Sequence, residues 1–292
     1  MGKIKLDDKH AIGNLHMWIQ EAFQFDNEAA NLKILNHGGD KMSFKIIADY
    51  HTHTNIAKGH IPLFNIILGE HAKGSIESNV KAGIKRGLKE IAITDHGYKH
   101  ITFGMKLNQY EKIRKLIDDY NNSSLLKEND FKILLGVECN IVTKKGDIDI
   151  KDEVIDYLDI ICAGYHPGAV QNPILLRNFT EAAINAIKKY QITILNHPLE
   201  HVNPDIFEIG KIAVERNTAL EINRSHRNMD IETIKKLKNM GVKFSLGSDA
   251  HKSEDVGYFG KAYKIAVEAG LTDEDIVNAN GSAHRLMKLL RD

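Results

Sequence analysis

From residue 44 onward, short apolar runs alternate with amphipathic stretches. FKIIADY (44–50), EIAITD (90–95), FKILLGVE (131–138), LDIICAGY (158–165), QITILN (191–196), TALEIN (218–223) and VKFSLGS (242–248) read as buried strands. Between them Ile76, Val80, Ile84 and Leu88 recur every fourth residue. Leu107, Tyr110, Ile113 and Ile117 make a second such stripe, and Leu176, Phe179, Ala183 and Ile187 a third. Stretches near 205–216, 230–240, 254–269 and 272–290 continue the helical series, with Thr272 placed to cap the last helix and Asp275 three residues on. Strands and helices in strict alternation point to βα units around a parallel sheet, and 292 residues suit one α/β barrel. Residues 1–43 differ. Ile12, Leu15, Ile19 and Phe23 lie on one helical face, Trp18 sits within that stretch, and a second pattern ends at Gly38 and Gly39. The expected organisation is a helical extension over 1–43, packed on a barrel over 44–292.

Charge and composition narrow the possible partners. Lysine plus arginine number 39 and aspartate plus glutamate 39, so no overall field draws in nucleic acid or an anionic membrane, although a local phosphate site stays open. The two cysteines, Cys139 and Cys162, lie in apolar strand-like runs, the pattern of reduced core thiols rather than of a disulfide framework. The start MGKIKLDDKH carries charges where a secretion signal needs apolar residues, and no run reaches the length of a membrane span. The expectation is a soluble cytoplasmic protein, with no membrane partner.

The chemistry lies at the strand ends. His51 and His53 close the first strand and, two residues apart, point the same way. His96 follows the second strand, Glu138 closes the third, His166 follows the fourth and His197 the fifth, while Asp249 and His251 follow the seventh, again two apart. The sixth offers Glu221 or Asn223 at most. In a parallel barrel the carboxyl ends of all strands meet on one face, so residues far apart in sequence converge there. Taken singly, each has a plain structural explanation, such as a turn histidine or a capping aspartate. Repetition at the same topological position argues for a metal site instead. So many donors exceed the three or four protein ligands of one tetrahedral ion and suit two or three ions, with Glu138 or Asp249 as a bridge.

These residues stand in motifs, HTHT, AITDHG, GVECNI, AGYHPG, NHP and GSDAH in that order, and over about residues 45 to 290 the chain resembles the PHP (polymerase and histidinol phosphatase) family of phosphoesterases, most of all its stand-alone histidinol-phosphatase-like branch. The resemblance implies a distorted seven-stranded (β/α)7 TIM-like barrel and three divalent transition-metal ions, with zinc, manganese and iron all compatible with mixed nitrogen and oxygen ligation. It asks for one more histidine after His53. His60 has the closer spacing, but His71 stands just before the stretch that leads through the first helix to TDHG, and the resemblance assigns His71. Residues 55–69 then form an insertion over the site, with His60 facing substrate. The implied grouping is His51, His53, Glu138 and Asp249 on one ion, His71, His96 and His251 on a second, and Glu138, His166 and His197 on a third.

Such a site implies hydrolysis of a small-molecule phosphomonoester, with a hydroxide bridging two metals as nucleophile and no protein acid identified. Asp95 either orients a ligand or caps a turn, and the basic group Arg224, His226 and Arg227 after the sixth strand is placed to clamp a phosphate. Three other readings stand beside this one: an amidohydrolase-type barrel cleaving C–N bonds, a PHP 3′-exonuclease acting on nucleic-acid ends, and a metal-binding regulator without turnover. An amidohydrolase usually lacks counterparts of Glu138 and of the DxH pair. The balanced charge counts against a nuclease. Neither the substrate nor the oligomeric state can be read from the chain.

Overall fold

The structure, a computed structural model, describes residues 44–57, 72–100, 103–167 and 178–280. The expected helical extension over 1–43, most of the 55–69 insertion, His60, His71 and Leu176 lie outside these residues. Seven strands run in chain order around one sheet and all neighbours are parallel: β1 Ala48–Thr52, β2 Glu90–Ile93, β3 Lys132–Asn140, β4 Ile160–Gly164, β5 Ile194–Leu195, β6 Ala219–Asn223 and β7 Phe244–Gly247. The connections carry α1 Ile76–Lys85, α2 Tyr110–Asn122, α3 Ser124–Glu128, α4 Asp152–Ile155, α5 Phe179–Lys189, α6 Ile206–Glu215 and α7 Ile231–Asn239, and α8 Gly260–Glu268 follows β7. Helix starts are fixed by side chains: Ser75, Asp205 and Asp230 accept from the first-turn amides of α1, α6 and α7. Among the described residues no helix is long and apolar enough to cross a membrane.

Strand parity separates two apolar layers. Ala48, Tyr50, Ala92, Leu134, Ile160, Cys162, Ile194 and Ala219 fill the barrel interior, while residues of opposite parity such as Ile91, Ile93, Ile133, Leu135 and Ile161 join the helices in the outer layer. Cys139 lies in the outer layer and Cys162 in the inner one, and both are free thiols. Following the inner parity toward the carboxyl ends leads from Leu134 to Glu138, from Cys162 to His166, from Ala92 to His96 and from Ala219 to Glu221. The floor of the barrel is therefore apolar and its mouth is built of donors.

β1 departs from this rule. Ala48 and Tyr50 face inward, yet so do His51 and His53, because the register with β2 shifts between Asp49 and Thr52. An irregularity of this kind re-aims a side chain, and here it brings both histidines to the mouth.

The seam between β1 and β7 is closed largely by single bonds and side chains. At the top Thr52 bridges Ala250, and the His53 amide donates to the Ala250 carbonyl (2.9 Å). At the bottom Asn278, fully buried, donates to the carbonyls of Ala48 (2.9 Å) and Leu246 (2.8 Å) and accepts from the Leu246 amide (3.1 Å). Asp49 helps between them, accepting from the amides of Ser248 (3.4 Å) and Gly257 (2.7 Å); burial pushes its carboxyl up to about 6, against the pull of those donors.

Three sequence expectations are corrected here. The first strand begins at Ala48 rather than residue 44, because the residues before it pair with the chain's last described segment, Ile46 bridging Ala279. The helix expected over 272–290 is absent from its described part, 272–280. Thr272 does engage Asp275, its amide and hydroxyl donating to Oδ2 at 2.8 and 2.9 Å, but they close a turn. The Phe244 amide then donates to the Asp275 carbonyl (2.9 Å), and Val277 to Phe244 (2.8 Å), so the segment wedges into the seam. The open edges of β7 and β1 offer buried backbone groups that need partners, and that demand overrides a weak helical periodicity. Similarly α8 starts at Gly260 rather than near 254, behind a 3₁₀ turn at Ser253–Asp255.

Asn278→Ala is expected to destabilise the protein by about 2–4 kcal/mol, since it strands three buried backbone groups at once. Urea unfolding of variant and parent measures this. An unchanged midpoint would show that the seam does not depend on this side chain.

Candidate metal centre

The mouth gathers His51, His53, His96, Glu138, His166, His197, Asp249 and His251, and their donor atoms form overlapping groups within 4.8 Å: His51, His53 and Asp249; His51, Glu138 and His197; His96, Glu138 and His166; His53, His96 and His251. Glu138 is at the centre. Its Oε1 lies 3.2 Å from His51 Nε2, 3.2 Å from His166 Nε2 and 2.9 Å from His197 Nε2, while Oε2 lies 2.9 Å from His96 Nδ1 and 3.5 Å from His53 Nε2. Asn196 donates to Oε1 at 3.1 Å. Asp249 Oδ1 faces His51 Nε2 (3.5 Å) and His53 Nε2 (3.3 Å) from the opposite side. In the expected groupings His96 and His251 shared an ion with His71; His71 lies outside the described residues, and within them it is His53 that completes their triad.

Strained backbone turns two of these residues inward. His197 (φ 26°) and Asp249 (φ 53°) occupy the left-handed region, which costs a non-glycine residue roughly 1 kcal/mol or more and persists only where surroundings enforce it. The His197 amide is held by Glu221 Oε2 at 2.8 Å.

Glu221 underpins the site. Its Oε1 accepts from His51 Nδ1 at 2.7 Å, which keeps a proton on that nitrogen and turns Nε2 toward Glu138 and Asp249. Its other oxygen also takes the Asn223 amide at 3.0 Å. The carboxylate reaches this position because residue 247 has no side chain: a Cβ there would come within 1.8 Å of Glu221 Oε1. On the β4 side, Asn140 Oδ1 accepts from His166 Nδ1 (2.7 Å) and is itself held by Asp149, whose Oδ2 accepts from Asn140 Nδ2 at 2.6 Å. Asp95 accepts from the Thr54 amide (2.7 Å) and hydroxyl (2.6 Å), and is 3.9 Å from His53 Nδ1, so it fixes the loop after β1. Burial, opposed by those Thr54 bonds, pushes its carboxyl up to about 7.

The electrostatics suit cations. Glu138, Glu221 and Asp249 are buried together, and no lysine or arginine is among the buried residues described. Such a concentration of negative charge away from water needs positive charge nearby. The imidazoles supply it only in part. Burial lowers His53 to about 3, with His251 adding to the effect, and burial holds His96 well below its ordinary value despite Glu138 beside it. His51 goes the other way. Burial disfavours its charged form, but Glu221, Asp249 and Glu138 together outweigh that and raise it well above the usual range. Burial also raises Glu138 and Asp249, yet His166, His51 and His96 around the first, and His51, His226 and His53 around the second, keep both carboxyls well below theirs. Imidazole nitrogens and ionised carboxylates that converge on one space are the donor set that divalent transition metals take. Glu138 Oε2, buried with no hydrogen bond, adds an orphaned donor aimed into the same space.

The basic group after β6 divides. Arg224 is engaged elsewhere, Nη1 pairing with Asp255 Oδ1 at 2.8 Å and its guanidinium lying over the Tyr258 ring. Arg227 is exposed, and its amide donates to Glu200 Oε2 at 2.9 Å. His226 alone turns to the cluster, Nε2 2.9 Å from Asp249 Oδ2 and its ring 4.6 Å from that of His197. In the sequence it stands with the arginines, since nothing in RSHR distinguishes the inward side chain. His100 was missed altogether. It stacks on His96 (4.5 Å between centroids, 16° between planes), and burial, with His166 nearby, lowers it to about 4. Its only sequence signal was a second histidine four residues after TDH.

Glu221→Gln keeps the shape but removes the charge behind His51. Metal affinity is expected to fall roughly tenfold to a hundredfold, measured by titrating metal-free protein with zinc against a competing chelator. Equal affinities would contradict the role given to Glu221.

The chain matches the PHP domain over residues 49–202. It is 33% identical over 245 residues to a probable phosphatase of Thermoanaerobacter sp. (strain X514), covering 81% of this chain and 91% of that one. A probable phosphatase of Caldanaerobacter subterraneus subsp. tengcongensis is 29% identical over 249 residues, covering 82% and 90%. Among solved structures, the histidinol phosphate phosphatase of Lactococcus lactis subsp. lactis, complexed with zinc, L-histidinol and phosphate, superposes with a TM-score of 0.51 at 17% identity, over 77% of this chain and 94% of that one, and shares the barrel fold. The chain belongs to the PHP domain family and is a metal-dependent hydrolase of its phosphatase kind.

Proposed function

We propose that this chain hydrolyses a small-molecule phosphomonoester at a cluster of three divalent transition-metal ions, with zinc, manganese and iron as the candidates. The observation that carries this reading is the buried carboxylate group of Glu138, Glu221 and Asp249, ringed by imidazoles and compensated by no buried lysine or arginine among the described residues. One ion would be held by His51, His53, Glu138 and Asp249. A second would be held by His96 and His251 with His71, and a third by Glu138, His166 and His197. Bound there, the ions would supply a water that deprotonates near neutral pH and positive charge for the phosphate oxygens. The chain's own residues perform the rest. Glu138 turns its two oxygens to different histidines and so ties neighbouring positions together. Glu221 sets His51 and the His197 backbone at once. Arg227, exposed just after His226, would meet a phosphate from solvent, and the sequence offers His60 of the insertion as a second substrate contact; Arg224 is held by Asp255.

The identity of the ester's alcohol is open, histidinol being one member of the class. The free thiols Cys139 and Cys162, in opposite layers of the barrel, fit a cytoplasmic location.

Incubation with p-nitrophenyl phosphate and manganese or zinc is expected to release nitrophenol. His51→Ala or Asp249→Ala should reduce the rate on the order of a hundredfold or more. Turnover confined to an amide panel would replace the proposal with a C–N hydrolase, and turnover confined to oligonucleotides with a 3′-exonuclease.

A further inference from the structure

His226 is a histidine at the mouth that the three groupings above leave out. We infer that His226 is a tenth metal donor, coordinating with His197 and Asp249 a further cation at the outer edge of the three-ion centre. This rests on the reading of Asp249 and His197 as cation donors. Three observations carry it.

The first is geometric. One donor atom from each of His197, His226 and Asp249 lies within 4.8 Å of the others, the same spacing that unites the deeper groups. The two oxygens of Asp249 divide the work: Oδ1 faces His51 and His53, while Oδ2 lies 2.9 Å from His226 Nε2 and accepts from Asn223 Nδ2 at 3.4 Å. Asp249 thus faces an inner and an outer position, as Glu138 does.

The second is that the loop is built to hold an imidazole there. Asn223 Oδ1 accepts from the amides of Ser225 (2.8 Å) and His226 (3.1 Å). Asn228 closes the turn by accepting from the Asn223 amide (2.7 Å) and donating to the carbonyls of Asn223 (2.7 Å) and His226 (3.2 Å). The same Asn223 side chain reaches Glu221 and Asp249, so the loop backbone is referenced directly to the site floor. A donor fixed in this way gives up little conformational freedom when a metal binds.

The third is the outer face of the ring. Glu200 Oε1 lies 3.6 Å from His226 Nδ1, and Glu200 is anchored by the Arg227 amide at 2.9 Å. At 3.6 Å, beyond hydrogen-bond length, this carboxylate offsets the positive charge that a metal-bound imidazole carries, on the side opposite the donor nitrogen. His226 is about one-third exposed (34%), against 2% for His197 and 5% for Asp249, so the cation it touches lies on the solvent side of that pair.

The test uses the full chain loaded with cobalt(II), whose bond to a thiolate gives a charge-transfer absorption that bonds to nitrogen and oxygen do not. His226→Cys loaded with cobalt is expected to show this band, with wild type and His226→Ser lacking it at equal cobalt content. His226→Ala, in which the loop's own hydrogen bonds are untouched, is expected to lose its most readily removed ion to a chelator at least about tenfold more easily than wild type, since losing a ligand should cost no less than losing a ligand's supporting partner. A cobalt-filled Cys variant without the band, or an Ala variant that retains its ions as wild type does, overturns the inference and leaves the deeper centre standing. A wild-type protein that takes up no cobalt, zinc or manganese overturns both this inference and the metal reading of the site.

Discussion

Glu138 lies at the inner carboxyl end of β3 with no exposed surface, and its two oxygens face five imidazoles at 2.9–3.5 Å. Burying a carboxylate is costly unless opposite charge or hydrogen bonds stand in for water. Here one neutral amide donates to it, and of the imidazoles that crowd it His53 and His96 are driven toward their neutral form by the same burial. Glu221 and Asp249 deepen the problem by adding two more carboxylates to the space. Cations shared between those groups, as proposed above, would resolve it, and the geometry of the mouth suits them. The lone pairs converge, Glu221 and Asn140 hold the far sides of His51 and His166, and His197 and Asp249 accept a strained backbone.

The barrel makes this convergence inexpensive. Inward positions along β2, β3, β4 and β6 pass from apolar residues at the floor to donors at the mouth, so one parity rule builds the core and much of the site. Where the rule alone would misdirect β1, a register shift corrects it, and where seven strands leave an incomplete seam, Asn278, Asp49 and the 275–280 segment supply the missing bonds. The side chains that close the barrel therefore also fix where β1 delivers His51 and His53.

Much of this was legible in the residues themselves. Period-two alternation and apolar runs located all seven strands, and the rule that strand ends share a face singled out the residues that the structure brings together. What escaped notice depends on partners distant in sequence. The wedge at 272–280 answers to unpaired backbone on β7 and β1, which no local periodicity reports. Glu221 was noted only, beside Asn223, as a possible donor of the sixth strand, and its grip on two other strands depends on the space left by Gly247. His226 and Arg224 look alike as members of one basic loop until Asp255 takes the arginine and the Asn223 turn aims the imidazole. His100 could not be placed because its stacking on His96 depends on the course of the loop after β2.

The claim on which all of this depends is that adjacent cations share the buried carboxylate of Glu138. Electron paramagnetic resonance of the protein filled with manganese(II) tests it most directly. Shared ligation predicts a broadened, exchange-coupled spectrum that reverts toward the resolved hyperfine pattern of isolated ions in Glu138→Ala. A fully loaded wild-type protein showing only isolated ions would contradict it.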